Sequence, residues 1–220
     1  MTTMIDKAVE CSICGEKSNH TVIRSTNSFG SPDLDTRPPE MLRSTINYQI
    51  QRCPSCGYCS TDLSECGDKT KEIVNSKEYQ IIIGSGEVPK IAASFLALAY
   101  ENEKQQKYSN SAWKTIHAAW VCDDENNFES SIKCRKQAVS LIEKAKNHGQ
   151  KIADQAGASE AITLDLMRRS GMHQEALELS AAMKAEDIEE IIMQMIKYEK
   201  ELIAKEDIAA HTIAEALGEK

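Results

Sequence analysis

Two short cysteine turns, far apart in the sequence, place the strongest constraint on how this chain can fold. Residues 11–15 are Cys-Ser-Ile-Cys-Gly and residues 53–57 are Cys-Pro-Ser-Cys-Gly. Two residues between the cysteines let both sulfurs face the same side of a tight bend, and the following glycine accepts a positive φ that other residues resist. Four thiolates in a tetrahedron form the usual closed structural zinc site, so the spacing predicts one structural zinc ion per chain. The predicted metal ligands are Cys11, Cys14, Cys53 and Cys56.

The composition is that of an ordinary soluble protein. The 220 residues are enough to bury a core without disulfides, and an aromatic content of only 5% suits a helix-rich chain. No apolar run is long enough to span a bilayer, and the first residues lack the apolar centre of a signal peptide. We therefore expect a cytoplasmic protein without membrane contact, in which the eight cysteines are metal ligands or free thiols rather than disulfides.

The charge of the chain argues against nucleic acid as a partner. The formal net charge is −8, and residues 1–67 carry six Lys and Arg against eight Asp and Glu, a net charge of −2. Zinc ribbons that bind nucleic acid usually present a basic face towards the phosphates. A nucleic-acid-associated ribbon would require the arginines of residues 1–67 to converge on one surface. These are Arg24, Arg37, Arg43 and Arg52.

The segments around the cysteine turns have the pattern of a small β-ribbon. Residues 20–25 are predicted to form a short strand, and residues 45–52 alternate between apolar and polar side chains, which predicts a half-buried strand. The second strand leads directly into Cys53, so the metal would hold one end of a small antiparallel sheet. Such a sheet is not stable alone, and zinc binding of about 10 kcal/mol or more would supply the missing stability.

The order of these features resembles an uncharacterised bacterial family, a domain of unknown function with an N-terminal zinc ribbon. The shared pattern is a CxxC turn, a strand, a loop with two aspartates, an alternating strand, and the CPxCGY sequence of residues 53–58. The resemblance is best over residues 9–100. Ser12 stands where proline is common in that family, and Cys59 stands where a small residue is usual. The resemblance implies a zinc ribbon followed by a helical, tetratricopeptide-like region, and it implies no known reaction.

The segment between the two predicted strands is a long charged loop. Residues 27–39 are rich in turn-forming residues. Asp33 and Asp35 in this loop could bind a cation or a substrate. We expect a solvated loop instead, because loops are usually polar merely through exposure.

The remaining cysteines do not complete a second metal site. Cys59 extends the second turn to CxxCxxC, but a ferredoxin-type run needs a fourth cysteine soon after it, and Cys66 comes too late. We expect Cys59 to be a small buried side chain, while a reactive thiol beside the metal stays an open alternative. His20 could replace a sulfur ligand, but the four cysteines are better placed.

From residue 68 onward the periodicity becomes helical. Residues 76–84 fit either a strand or a helix, and the family resemblance favours the helix. Two pairs of alanines with equal spacing suggest a faint internal repeat, which predicts TPR-like helical hairpins rather than a regular array. Further helices are predicted over residues 89–106, from a cap at Ser109 or Asn110 to the residue before Asp123, over 127–148, 159–171 and 173–184, and from Asp187 towards Leu217 with a break near Asp207.

The sequence therefore predicts an α+β fold, mostly α. A small zinc ribbon with a long charged loop, residues 1–67, packs on a TPR-like α-helical domain, residues 68–220. The sequence has no GxxxxGK[ST] phosphate-binding motif and no GxSxG motif. The leading hypothesis is a non-enzymatic zinc-binding protein that acts as a protein–protein interaction scaffold for an unidentified partner. The alternatives are a nucleic-acid-associated ribbon, or a thiol-based redox sensor or enzyme that uses Cys59 and Cys66.

Overall fold

The computed structural model describes residues 1–183 and 188–219, and it confirms an α+β chain that is mostly helical. In these ranges the strands lie before residue 61 and the α-helices lie after residue 69. Among the same residues, no helix combines the length and the hydrophobicity needed to cross a lipid bilayer.

Two antiparallel hairpins form the N-terminal part, and each has a CxxC sequence in its turn. β1 (Thr3–Glu10) pairs with β2 (Lys17–Ser25), and the first cysteine turn connects them. β3 (Gln51–Arg52) pairs with β4 (Cys59–Ser60) around the second cysteine turn. The strand predicted at residues 20–25 therefore exists within β2, whereas the sequence pattern does not reveal its partner β1.

The predicted strand over residues 45–52 is wrong for most of its length. Residues Arg43–Tyr48 form a 3₁₀ helix, and only the last two residues of the predicted strand belong to β3. Ile46 and Ile50 are buried, whereas Tyr48 between them is exposed. The 3₁₀ helix ends at Tyr48, and Ile50 joins the buried cluster from beyond it, so two buried isoleucines four residues apart do not require a strand.

The helical part begins with two short helices and continues with longer ones. Residues 76–84, which the sequence leaves ambiguous, form a helix whose first turn is capped by Ser76, because its Oγ accepts a hydrogen bond from the amide of Tyr79 at 3.3 Å. The described helices are α1 (Thr70–Val74), α2 (Lys77–Gly84), α3 (Lys90–Lys104), α4 (Tyr108–Asp124), α5 (Phe128–Asn147), α6 (Ala158–Arg169), α7 (His173–Ala182), α8 (Glu190–Ala204) and α9 (Ile213–Leu217).

The predicted helix boundaries agree only in part with these bounds. The predicted end at Lys184 and the predicted start at Asp187 lie outside the described residues. The predicted break near Asp207 falls between α8 and α9, where the helix stops and begins again.

Six of the described helix ends share one type of turn. After each of α3, α4, α5, α6, α8 and α9, a residue with positive φ follows, and the next amide donates to the carbonyl five residues earlier. This bond satisfies a carbonyl that the helix end would leave without a partner. The amide donors and carbonyl acceptors of the six turns are Lys107 to Asn102, Asn127 to Cys122, Gln150 to Ala145, Met172 to Met167, Asp207 to Leu202 and Glu219 to Ala214.

Connections of three residues make α3, α4 and α5 antiparallel neighbours. The tetratricopeptide type of packing stays a prediction.

One buried apolar cluster runs from the cysteine hairpins into the helices. It contains Val9 and Leu63 from the N-terminal part together with Phe95, Ile116 and Leu141 from α3, α4 and α5. The division of the chain at residue 67 stays a prediction, and the two parts share this core. Unfolding of the cysteine hairpins would expose the apolar faces of the first long helices.

The charged centre of the loop, residues 33–37, folds into the helical part, so the prediction of a solvated loop is wrong there, whereas residues 27–30 are exposed. Asp35 is fully buried, and Leu34 packs in a second apolar cluster with side chains of α6 and α8. Asp33 forms an isolated antiparallel bridge with Thr212, just before α9. The loop therefore joins the N-terminal hairpins to the C-terminal end of the described chain.

Candidate metal centre

The two cysteine turns have the same backbone geometry. In the first turn the amide of Gly15 donates to the carbonyl of Cys11 at 2.8 Å, and in the second the amide of Gly57 donates to the carbonyl of Cys53 at 3.1 Å. Both glycines have a φ of +76°, a conformation that side chains with a Cβ resist. The tight bend predicted from the sequence therefore forms twice.

The four predicted ligands lie together. Cys11 Sγ is 3.7 Å from Cys56 Sγ, Cys14 Sγ is 3.6 Å from Cys53 Sγ, and all four sulfurs lie within 4.8 Å of one another. Zinc–sulfur bonds of about 2.3 Å in a tetrahedron give sulfur–sulfur edges of about 3.8 Å. A disulfide would require about 2.0 Å. The donor set and its spacing therefore fit one tetrahedral metal ion and exclude two disulfides.

The centre has a buried side and an exposed side. Cys11 and Cys53 are buried, Cys56 is partly buried and Cys14 is exposed. Burial raises the pKa of the Cys11 and Cys56 thiols, whereas a hydrogen bond from the backbone of Glu16 lowers the pKa of Cys14 to about 7. A bound divalent cation favours the thiolates, so metal binding would release protons chiefly from the buried side.

Helix α2 supports the second cysteine turn. A Cβ at Gly57 would lie only 2.2 Å from Cδ1 of Ile83, so the turn and the helix are in direct contact. The amide of Cys59 donates to Tyr79 Oη at 2.9 Å, and the guanidinium of Arg52 donates to the carbonyl of Ile83 at 3.0 Å. These contacts fix the orientation of the second turn relative to the helical part.

Cys59, Cys66 and His20 lie outside the cluster. Among the residues that the structure describes, the four cysteines are the one group of three or more potential metal ligands that come together. The Cys59 thiol is fully buried and donates to the carbonyl of Gly57 at 3.2 Å, and burial raises its pKa. Cys66 is exposed, and His20 Nε2 lies 2.9 Å from Ser18 Oγ. Cys59 therefore fits the expected small buried side chain better than a reactive thiol.

Three of the four arginines that a nucleic-acid interface would need are engaged inside the fold. Arg37 donates to both carboxylate oxygens of Asp124 at 2.6 Å. Arg43 lies 2.5 Å from Asp33, and Arg52 donates to the carbonyl of Ile83 in α2. Arg24 is exposed. The four side chains therefore do not form a surface of free cations.

A buried ionic cluster, which the sequence analysis does not identify, joins the charged loop to α4, α5 and α6. Asp35 Oδ2 accepts hydrogen bonds from Trp120 Nε1 at 2.7 Å and from Arg169 at 3.3 Å. Arg169 also donates to Asp123 at 2.9 Å, and Arg135 lies 2.5 Å from the same carboxylate. The two aspartates that suggested a cation or substrate site thus have partners within the protein.

A family model matches the chain over both cysteine turns and most of the helices. The family is described as "Uncharacterized protein conserved in bacteria (DUF2225)", and the match covers residues 4–203. A search of the curated proteins and a search of the solved structures each returned no match. The family match confirms the resemblance that the order of the ribbon features indicates.

Proposed function

The chain belongs to this uncharacterised bacterial family, DUF2225, and we propose that it is a non-enzymatic zinc-binding protein. Cys11, Cys14, Cys53 and Cys56 would hold one structural zinc ion per chain. The observation that carries this proposal is the sulfur spacing of 3.6 and 3.7 Å, close to the edge of a zinc–thiolate tetrahedron. Four protein sulfurs leave no position open for a substrate, so the role of the ion is structural.

The zinc ion would join two hairpins that form separate sheets. The β1–β2 and β3–β4 sheets are each two-stranded. Between them lie an exposed ion pair of Lys7 with Asp62 at 3.2 Å and a hydrogen bond from the amide of Ser12 to the carbonyl of Leu63 at 2.9 Å. Since small hairpins are marginal in water, the metal would supply most of the stability of this end.

We propose that the helical part is a scaffold with TPR-like hairpins that binds another protein. The repeated turn after α3, α4 and α6, together with the short connections, supports this proposal. Stacked helical hairpins leave extended surfaces that suit protein partners. The cysteine centre would then fix the N-terminal end of the scaffold through the shared apolar core.

The two alternative functions have less support. A nucleic-acid interface would have to release Arg37 and Arg43 from their partners Asp124 and Asp33. A thiol sensor based on Cys59 would require an oxidant to reach a fully buried sulfur.

The metal proposal is tested by elemental analysis of the purified protein. We expect one zinc per chain in the wild type and a loss of that zinc in Cys53→Ser, because three thiolates remain. Cys66→Ser is the matched control and should retain the metal, since this thiol is exposed and outside the cluster. Iron in place of zinc, or loss of the metal in the control, would contradict the assignment.

The scaffold proposal is tested separately by cross-linking and affinity purification from the bacterial host under native conditions. We expect a stoichiometric protein partner that cross-links to helices between residues 90 and 204. Repeated purifications without such a partner would refute the scaffold and leave the metal assignment intact.

A further inference from the structure

Arg168 is fully buried in the helical part and ties three segments together. Its guanidinium donates to Asp165 Oδ1 at 2.6 Å on its own helix α6 and to Glu199 Oε2 at 2.7 Å on α8. It also donates to the carbonyls of Asp207 at 2.7 Å and Ala209 at 2.9 Å, in the segment that follows α8. This one side chain therefore holds α8 and the beginning of the C-terminal segment on α6.

Each of the two carboxyl groups has one oxygen without a hydrogen-bond partner. Asp165 Oδ2 and Glu199 Oε1 are buried and unpartnered, while the other oxygen of each group accepts a hydrogen bond from the same guanidinium, that of Arg168. Arg169 approaches Asp165 Oδ2 only to 3.9 Å, which is too long for a hydrogen bond. Two ionised carboxylates cannot donate to each other, whereas one proton between them satisfies both oxygens.

The charge balance of the buried ionic cluster also indicates one proton on its carboxyl groups. The cluster is defined by its three guanidiniums and four carboxyl groups, so full ionisation would leave one negative charge without a cation. The pairs of Asp33 with Arg43 and of Asp124 with Arg37 are separate and balanced. An uncompensated buried charge is costly, and a buried carboxyl takes up a proton instead. The members are Arg135 of α5, Arg168, Arg169 and Asp165 of α6, Glu199 of α8, Asp123 of α4 and Asp35 of the loop.

The outer neighbours of Arg168 form a second titratable group. Asp207 Oδ2 lies 3.2 Å from His211 Nε2, and Glu215 of α9 lies 3.5 Å from His211 Nδ1. The hydroxyl of Tyr198 on α8 lies 3.3 Å from the same ring. These side chains are partly exposed. A test of Asp165 and Glu199 must therefore compare variants in which Asp207, His211, Glu215 and Tyr198 are unchanged.

We propose that Asp165 and Glu199 share one proton at neutral pH, and that this proton keeps α8 and the following segment bound to Arg168. Loss of the proton would place two negative charges against one guanidinium. The two carboxylates would then repel each other across the contact between α6 and α8. The pair is thus a proton-binding site that controls the attachment of the C-terminal segment.

The expected pH dependence follows from burial. Burial, with the charge of Asp165, raises the pKa of Glu199 from 4.5 to about 8, and burial also raises the pKa of Asp165. A raised carboxyl pKa means that the folded protein binds the proton more tightly than the unfolded chain. The stabilisation by the shared proton is therefore complete below the pKa of the carboxyl in the unfolded chain. It is lost as the pH rises through the pKa of the same carboxyl in the folded protein.

The first measurement is infrared spectroscopy of the metal-loaded full chain at neutral pH. We expect the carbonyl stretch of a buried protonated carboxyl in the wild type and its absence in Glu199→Gln and Asp165→Asn. The control Glu201→Gln changes an exposed residue of α8 and should retain the band. Glu101 and Asp33 are further buried carboxyls with raised pKa values, so Glu101→Gln and Asp33→Asn are measured as well. A band that survives in E199Q and disappears in E101Q or in D33N would overturn the proposal.

The second measurement compares the unfolding constants of the wild type and E199Q in urea. The glutamine amide can donate permanently to Asp165 Oδ2, as the protonated glutamate does. Between about pH 5 and about pH 8, the wild-type constant should rise relative to that of E199Q by up to about tenfold per pH unit. Both proteins share the cysteine centre and the residues around His211, so the ratio compares only the change at residue 199. A ratio independent of pH would overturn the proposal.

The role of the proton in attachment is read from amide hydrogen exchange in residues 207–214. In the alkaline range, exchange in this segment should accelerate in the wild type relative to E199Q at the same pH. Equal protection of the segment in both proteins would show that the proton does not control the attachment.

Discussion

Gly15 and Gly57 allow a direct measurement of how tightly the second cysteine turn packs on α2. Both have a φ of +76°, but their surroundings differ. A Cβ at Gly15 would meet no heavy atom within 4 Å, whereas a Cβ at Gly57 would lie 2.2 Å from Cδ1 of Ile83. Gly15→Ala therefore measures backbone strain alone, and Gly57→Ala measures the same strain together with a collision.

The two contributions can be given magnitudes. Alanine in the left-handed region costs about 1–2 kcal/mol. Overpacking costs about 1–3 kcal/mol, and the lower end applies because Cδ1 is the end of a side chain that can rotate. We expect Gly15→Ala to lower the free energy of unfolding by about 1–2 kcal/mol and Gly57→Ala to lower it by about 2–3 kcal/mol.

Ile83→Val closes a double-mutant cycle, because it removes the atom that collides. In the wild-type background this change should cost about 1 kcal/mol, as is usual for Ile→Val in a packed site. In the Gly57→Ala background it should cost about 1 kcal/mol less, since it also relieves the collision. Urea unfolding of the metal-loaded proteins supplies the four free energies. Equal effects of the two glycine substitutions, or zero coupling with Ile83, would refute the close approach of α2.

Two further predictions concern the buried ionic cluster. Asp35→Asn should lower the free energy of unfolding by about 3 kcal/mol, at the low end for a broken buried ion pair because the amide oxygen still accepts a hydrogen bond. Glu129→Gln, which removes an exposed ion pair, is the control and should leave the melting temperature unchanged. Burial opposes ionisation of Asp123, but Arg135 prevails and lowers its pKa. The stabilisation by the Asp123–Arg135 pair is present above the unfolded pKa of aspartate, about 3.9, and is lost as the pH falls through the pKa of Asp123 in the folded protein. Arg135→Gln lacks this pair, so its stability should fall less in acid than that of the wild type. Urea midpoints at about pH 6 and about pH 3 test this, and equal acid losses in both proteins would contradict it.

The cysteine centre is predictable from the sequence because its requirements are local. Each turn needs two cysteines at one spacing and a glycine directly after them, and both turns meet these requirements within five residues. The helices from Lys90 onward are predictable for a similar reason, since their periodicity extends over several turns.

The charged loop and the 3₁₀ helix are not predictable in the same way. Ile46 and Ile50 are both buried without a continuous strand, because a 3₁₀ helix and the residues after it bring both to the core, and the segment is too short for its periodicity to show this. The partner of Asp35, Arg169, lies 134 residues away, so nothing near the loop indicates that it is buried. A usable signal was the Arg168–Arg169 pair in a helix with buried leucines, because cations in an apolar helix require buried anions.

Because Asp33 pairs with Thr212, the loop of residues 27–39 cannot complete its contacts until the segment around Thr212 has left the ribosome. Translation delivers the cysteine turns first, and they can bind metal while the helices are still being made. Leu34 and Asp35 stay accessible to chaperones during that time, since their partners on α6 and α8 are synthesised much later than the loop. A chain truncated before α8 would hold its metal and remain in this unfinished state.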